Sequence, residues 1–139
     1  MKRLFVIAMI MAAGIAFAQN ADVTVTVTGV AAGKAPIYVA LYDSDQALKK
    51  NKPAATLVLP ADGESVTGTV SLSAGEYYVT AYQDANDNGK LDTNFIGMPK
   101  EPVGIANYDG KSIPGGFSKH KLFLGPSNPS VAVALKQIG

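Results

Sequence analysis

Asp84, Asn86, Asn88, Gly89, Lys90 and Asp92 carry the most chemistry in this chain. They place oxygen-bearing side chains at the first, third and fifth positions of a loop, a glycine at the sixth and an acid at the ninth. Calcium takes six to eight oxygen ligands from carboxylates, amides, backbone carbonyls and water. In such a loop Asp84, Asn86 and Asn88 converge, Gly89 permits the sharp turn, and Lys90 offers its carbonyl. Asp92 binds directly or through water, and Leu91 pins the loop to the core. The twelfth position departs from the helix-flanked calcium loop: Phe95 stands where a bidentate glutamate would, which predicts weak binding. Asp, Asn and Gly also build tight turns, because their side chains bond the local backbone and tolerate positive φ. Two readings of the loop therefore stand, a calcium site and a metal-free turn. If a metal binds, hard oxygen donors make calcium the cofactor, ahead of zinc or copper.

Other reactive groupings are thinner. His120 is the sole histidine, flanked by Lys119 and Lys121, and reads as a surface residue of a strand. Ser118 lies two residues away on the same predicted face, but no third group completes a triad. Asp84, Asp92 and Glu101 could pair as carboxylates for glycoside hydrolysis, yet two of them are already used by the metal reading. The chain is not expected to be an enzyme, and no catalytic residue is assigned. A carbohydrate-active enzyme is the weakest alternative.

Elements of sheet must position this loop. Residues 22–28 alternate Val23, Val25 and Val27 against Thr24, Thr26 and Thr28, the pattern of a half-buried strand. Residues 37–42 alternate again, with Tyr38 and Tyr42 opposite Ile37, Val39 and Leu41. Ser44 can cap a short helix of one or two turns before Pro53. Strands follow at 56–59 and 65–72, separated by an Asp62-Gly63 turn, and Gly68 suggests a bulge. The strand 76–83 sets Tyr78 and Tyr82 opposite Tyr77, Val79 and Ala81, and the loop follows it. Residues 104–116 read as irregular. The last strands are 119–124 and 130–135.

About seven strands with little helix predict an all-β antiparallel β-sandwich. A small closed β-barrel is the alternative. Val25, Val39, Val79 and Val133 fall on the predicted inward faces. If the strands 37–42 and 76–83 are neighbours, Tyr38, Tyr42, Tyr78 and Tyr82 form an aromatic patch for a sugar ring or a protein partner. The competing reading makes that face core and the domain a purely structural envelope or matrix module. Lys49, Lys50 and Lys52 read as a solvated loop.

The 139-residue chain opens with Lys2 and Arg3, an apolar run from residue 4 to 15, and the small-x-small triplet Ala16-Phe17-Ala18. This is the pattern of a signal peptide, residues 1–18, cut before Gln19. Removal leaves 121 residues, 19–139, enough for one domain. The export expectation is periplasmic or secreted, with no integral membrane segment after cleavage. Taking Lys2 and Arg3 from the 12 basic residues leaves 10 against 11 acids, a net charge of −1. That balance is unsuited to nucleic acid. The mature part also has no arginine, so bidentate clamps on phosphate are unavailable. Without cysteine, disulfides and thiol chemistry are excluded. The expected partner is an envelope protein or a glycan.

Gly75-Glu76-Tyr77-Tyr78-Val79, then Asp84 to Gly89, then Lys90-Leu91-Asp92-Thr93-Asn94-Phe95-Ile96-Gly97-Met98-Pro99-Lys100-Glu101 closely resemble a bacterial family of small exported proteins, domain of unknown function 2141 (DUF2141). The likeness extends to residues 23–30 and 37–43. The resemblance implies an exported immunoglobulin-like or prealbumin-like sandwich and no reaction. The chain departs from the family at Ile105, where an aromatic is expected, and at Tyr108, where an asparagine is. Gly115-Gly116-Phe117-Ser118-Lys119-His120 replaces the family's Pro-Ser-Phe with following acids, so a pocket built from that later loop is expected to differ here.

Overall fold

The computed structural model describes residues 20–33, 35–84, 102–108 and 114–136. The predicted signal peptide and the loop residues 85–101 lie outside the described residues. Among the described residues, eight strands and two short helices follow in order. They are β1 (Asn20–Thr28), β2 (Ile37–Tyr42), α1 (Asp45–Lys49), β3 (Ala55–Leu59), β4 (Ser65–Ser73), β5 (Gly75–Gln83), β6 (Val103–Ile105), α2 (Phe117–His120), β7 (Leu122–Leu124) and β8 (Ser130–Ala134).

The strands form two sheets, as a sandwich requires. One runs β4-β1-β8 and the other β3-β2-β5-β6, with β7 joined to β5 at the Gly75–Tyr77 end. Alternation explains why they face each other. Val23, Val25, Val27, Val66, Leu72, Val131 and Val133 from the smaller sheet meet Ile37, Val39, Leu41, Leu59, Tyr77, Val79 and Ala81 from the larger. The expected inward residues Val25, Val39, Val79 and Val133 are all fully or almost fully buried. Ser44 caps α1 as expected, its hydroxyl accepting from the Ala47 amide at 3.0 Å.

Several expectations are corrected. The pairing is not wholly antiparallel: β1 and β8 run parallel, with Val25 opposite Val131 and Val27 opposite Val133. The Asp62-Gly63 turn carries the chain from one sheet to the other, since β3 and β4 belong to different sheets. Gly68 makes no bulge. It sits in unbroken register opposite Val25, and a Cβ there would collide with the Leu59 side chain crossing from the other sheet. The segment read as irregular begins inside β6, a strand formed by pairing with β5, a tertiary contact that local composition does not specify. The strand expected to start at residue 119 starts at Leu122, because 117–120 closes a helical turn in which the Lys121 amide donates to Phe117 O at 2.9 Å.

The two sheets are joined by backbone at one edge. Val103 and Lys136 exchange amide-to-carbonyl hydrogen bonds at 2.9 and 2.8 Å. Gly104 permits this approach, since a Cβ there would strike Ala134 O and the Val133 side chain. Among the described residues no helix is long and apolar enough to cross a membrane.

Candidate functional site

β2 and β5 are neighbours, so the four tyrosines share the outer face of the larger sheet. Tyr38 pairs with Tyr82, Ala40 with Thr80 and Tyr42 with Tyr78. Adding β3 and β6 extends the first row to Val58, Tyr38, Tyr82 and Val103. The second row is Thr56, Ala40, Thr80 and Ile105. With strands about 4.8 Å apart, each row is roughly 14 Å across. Two tyrosine rows thus bracket a low floor of Ala40 and Thr80.

The two rows differ. Tyr38 and Tyr82 stack with ring centroids 5.4 Å apart and planes 22° from parallel, and both are half-buried. Val58 beside them is 59% exposed. Val103, at the far end of the row, is buried and lines a cavity of about 190 Å³ at the seam of β6 and β8, together with Ile105, Asn107, Tyr108 and Lys136.

Tyr42 and Tyr78 are instead buried beneath a polar cover. The Tyr42 hydroxyl donates to Asn51 Oδ1 at 2.7 Å; Asn51 follows Lys50, the C-cap of α1, in a left-handed conformation (φ 54°). The Tyr78 hydroxyl donates to Gly115 O at 3.2 Å. Their rings meet edge to face at 6.5 Å, and Tyr78 meets His120 in the same way at 6.1 Å. Burial pushes the Tyr42 and Tyr78 phenols above the ordinary tyrosine value, with nearby Tyr108 and Tyr42 adding to the effect at Tyr78.

His120 holds this cover together, which corrects its reading as a surface strand residue. It is 5% exposed and ends α2. The Gly115 amide donates to Nε2 at 2.9 Å, so Nε2 bears the lone pair. Nδ1 therefore carries the hydrogen and donates to Asn107 O at 2.8 Å. Both nitrogens are spent on backbone, and Tyr108 packs on the ring at 5.2 Å.

At the other end of β5, Gln83 and Asp84 form the entrance to the loop that follows. Gln83 is 1% exposed and Asp84 is 0% exposed. Gln83 Oε1 accepts from the Ala31 amide at 2.9 Å, while Nε2 donates to Ala31 O at 2.9 Å and Ala35 O at 3.0 Å. The Asp84 amide donates to Pro36 O at 3.1 Å. The connection between β1 and β2 is thereby fastened to the first residue of the expected calcium loop. Asn86, Asn88, Lys90 and Asp92 lie outside the described residues, as does Glu101. Among the described residues no three acidic or histidine side chains gather as a metal centre. Gln83 was not singled out by sequence, although a polar residue on the inward register of Tyr77, Val79 and Ala81 is the signal that marks it.

No curated protein and no solved structure matches the chain. A family model described as an uncharacterized protein conserved in bacteria matches residues 25–132, most of the chain. It spans both sheets, the tyrosine face and the loop after β5, and the chain belongs to that family, DUF2141.

Proposed function

We propose that this chain is an exported binding module whose ligand lies across the open half of the tyrosine face, and whose loop after β5 holds calcium. The observation that carries the reading is the half-buried Tyr38–Tyr82 stack beside exposed Val58. Contiguous apolar surface left open on a small domain marks an interaction site. Tyrosine supplies an apolar ring and a polar hydroxyl with few rotatable bonds. A glycan fits best, with sugar faces laid on the rings of Tyr38 and Tyr82 beside Val58; an envelope protein is the other partner. His120 supports binding over catalysis, since neither ring nitrogen is available as a base.

Export rests on Lys2, Arg3, the apolar run and Ala16-Phe17-Ala18, with Gln19 as the mature terminus. Calcium rests on the spacing of Asp84, Asn86, Asn88, Lys90 and Asp92. The burial of Asp84 supports it, because a ligand at the first position is then held by the sheet rather than by a solvated turn.

Calorimetric titration of the purified protein with a glycan panel tests the ligand. Tyr38→Ala should lose binding while the melting temperature changes little, and Tyr42→Phe should keep it. If no glycan binds, and envelope-protein capture is equal for the parent and Tyr38→Ala, a structural module is the correct reading. The covered Tyr42–Tyr78 half favours that second role.

A further inference from the structure

β4 is a long sheet edge with one side unpaired. It runs nine residues in continuous register with β1, from Ser65 opposite Thr28 to Ser73 opposite Asn20. No strand lies on its other side among the described residues. The direction of its backbone groups follows from β1. The Thr24 amide donates to Pro129 O and Thr28 O accepts from the Leu135 amide, so these residues turn their backbone toward β8. The alternating set, Val23, Val25 and Val27, turns toward β4, opposite Val70, Gly68 and Val66. By the same alternation, the amides and carbonyls of Ser65, Thr67, Thr69 and Ser71 point away from β1. Ser73 points with them, and its carbonyl already accepts from the Tyr77 hydroxyl at 2.6 Å. The side chains of these five residues are all exposed.

Proteins blunt such edges with lysine, proline, a bulge or a short strand. The other edges here are short or closed. β3 has five residues between Pro53 and Pro60, and β6 and β7 have three each. Beyond the end of β8, Lys136 is tied to Val103. β4 has no charge, no proline and no bulge.

Its sequence is also complementary to itself. Antiparallel pairing about a two-fold axis at Thr69 sets Thr69 against Thr69, Thr67 against Ser71 and Ser65 against Ser73. These are the residues whose backbone groups face outward, so they form the hydrogen-bonded pairs of the new ladder. On the inner face Val66 meets Leu72, and Gly68 meets Val70, apolar against apolar and small against large. The same patch serves both subunits, as an isologous interface requires.

We propose that β4 is a self-association edge, through which two copies pair antiparallel about Thr69 and join their three-stranded sheets into one six-stranded sheet. A single strand pair belongs to the small end of interface sizes, so the dimer is weak and concentration-dependent.

Sedimentation velocity from micromolar to millimolar protein, with amide hydrogen exchange at both ends of the range, tests this. The expected result is a monomer–dimer equilibrium in which the Thr67, Thr69 and Ser71 amides gain protection only at high concentration. Thr67→Lys combined with Ser71→Lys places like charges opposite each other twice and should weaken association about fivefold or more. Thr67→Lys combined with Ser71→Glu places opposite charges there and should retain or tighten it. Both positions are exposed, so a dilute thermal melt should show each double variant folded. If either fails to fold, Thr69→Lys, with like charges meeting at the axis, replaces it. A protein that stays monomeric throughout, or charge variants that associate equally, would overturn the proposal.

Discussion

Gln83 grips Ala31 with both ends of its amide. Oε1 accepts from the Ala31 N–H and Nε2 donates to the Ala31 carbonyl, each at 2.9 Å. The second hydrogen of Nε2 reaches Ala35 O at 3.0 Å. One buried side chain thus satisfies three backbone groups of the turn between β1 and β2. Gln83→Met keeps the length and removes these bonds. Burying unpaired backbone groups costs about 1–3 kcal/mol each, partly relieved by relaxation, so a loss of about 2–4 kcal/mol in urea unfolding is expected. A change under about 0.5 kcal/mol would show that the turn is satisfied by water instead.

The four mid-strand valines test the sandwich. Val25, Val39, Val79 and Val133 are fully or almost fully buried between the two sheets. Truncating any one to alanine should cost about 1–3 kcal/mol in the same assay. Losses below about 0.5 kcal/mol at most of them would place these residues on the wrong faces.

Alkaline pH should loosen the cover over the tyrosine face. Burial raises the Tyr42 and Tyr78 phenols above their ordinary value of 10.0. The folded value then exceeds the unfolded one, so the neutral phenol is favoured by folding. Their contribution is complete below about pH 10 and is lost as pH rises through the raised values. Tyr78→Phe should begin about 0.5–1.5 kcal/mol less stable, for the lost bond to Gly115, and then decline less steeply in alkali. Urea unfolding across an alkaline pH series measures both, and parallel declines would contradict the burial account.

Calcium should raise the melting temperature of the folded protein. Ligand bound only by the native state adds about 2.7 kcal/mol at a hundredfold excess over the dissociation constant. Without a bidentate glutamate at Phe95, that constant should be on the order of 0.1–1 mM. Asp84→Ala and Asn88→Ala should each abolish the calcium-dependent rise, whatever they do to the baseline. Lys90→Ala should preserve it, because only the carbonyl is used there. Magnesium should substitute poorly. Identical melts in chelator and in millimolar calcium, with no heat of binding, would leave the loop as a hydrogen-bonded turn.

The all-β class, the strand faces and the capped turn after β2 were legible in the sequence. Val23, Val25 and Val27 alternate with threonines, and a period of two in β-branched residues has one solution at a half-buried sheet surface. Ser44 could be read as a cap because an N-cap is a local hydrogen bond. The four tyrosines could be assigned to one side of their strands by parity alone.

The tertiary structure decided what those faces meet. Tyr38 and Tyr82 are far apart in sequence, and their stack exists only because β2 and β5 pair in this register. Tyr42 is covered because Asn51, beyond α1, reaches its hydroxyl, and Tyr78 because the turn at 115–120, backed by Tyr108, closes over it in the region where the chain departs from the family resemblance. His120 stands between two lysines, which locally argues for solvent. It is buried because Asn107 O and the Gly115 amide converge on its ring. The parallel partner of β1, β6 as a strand, and the space Gly68 leaves for Leu59 have the same origin. Each depends on which distant segment arrives alongside, and strand pairing is chosen by the sum of contacts across the core rather than by the residues of one segment.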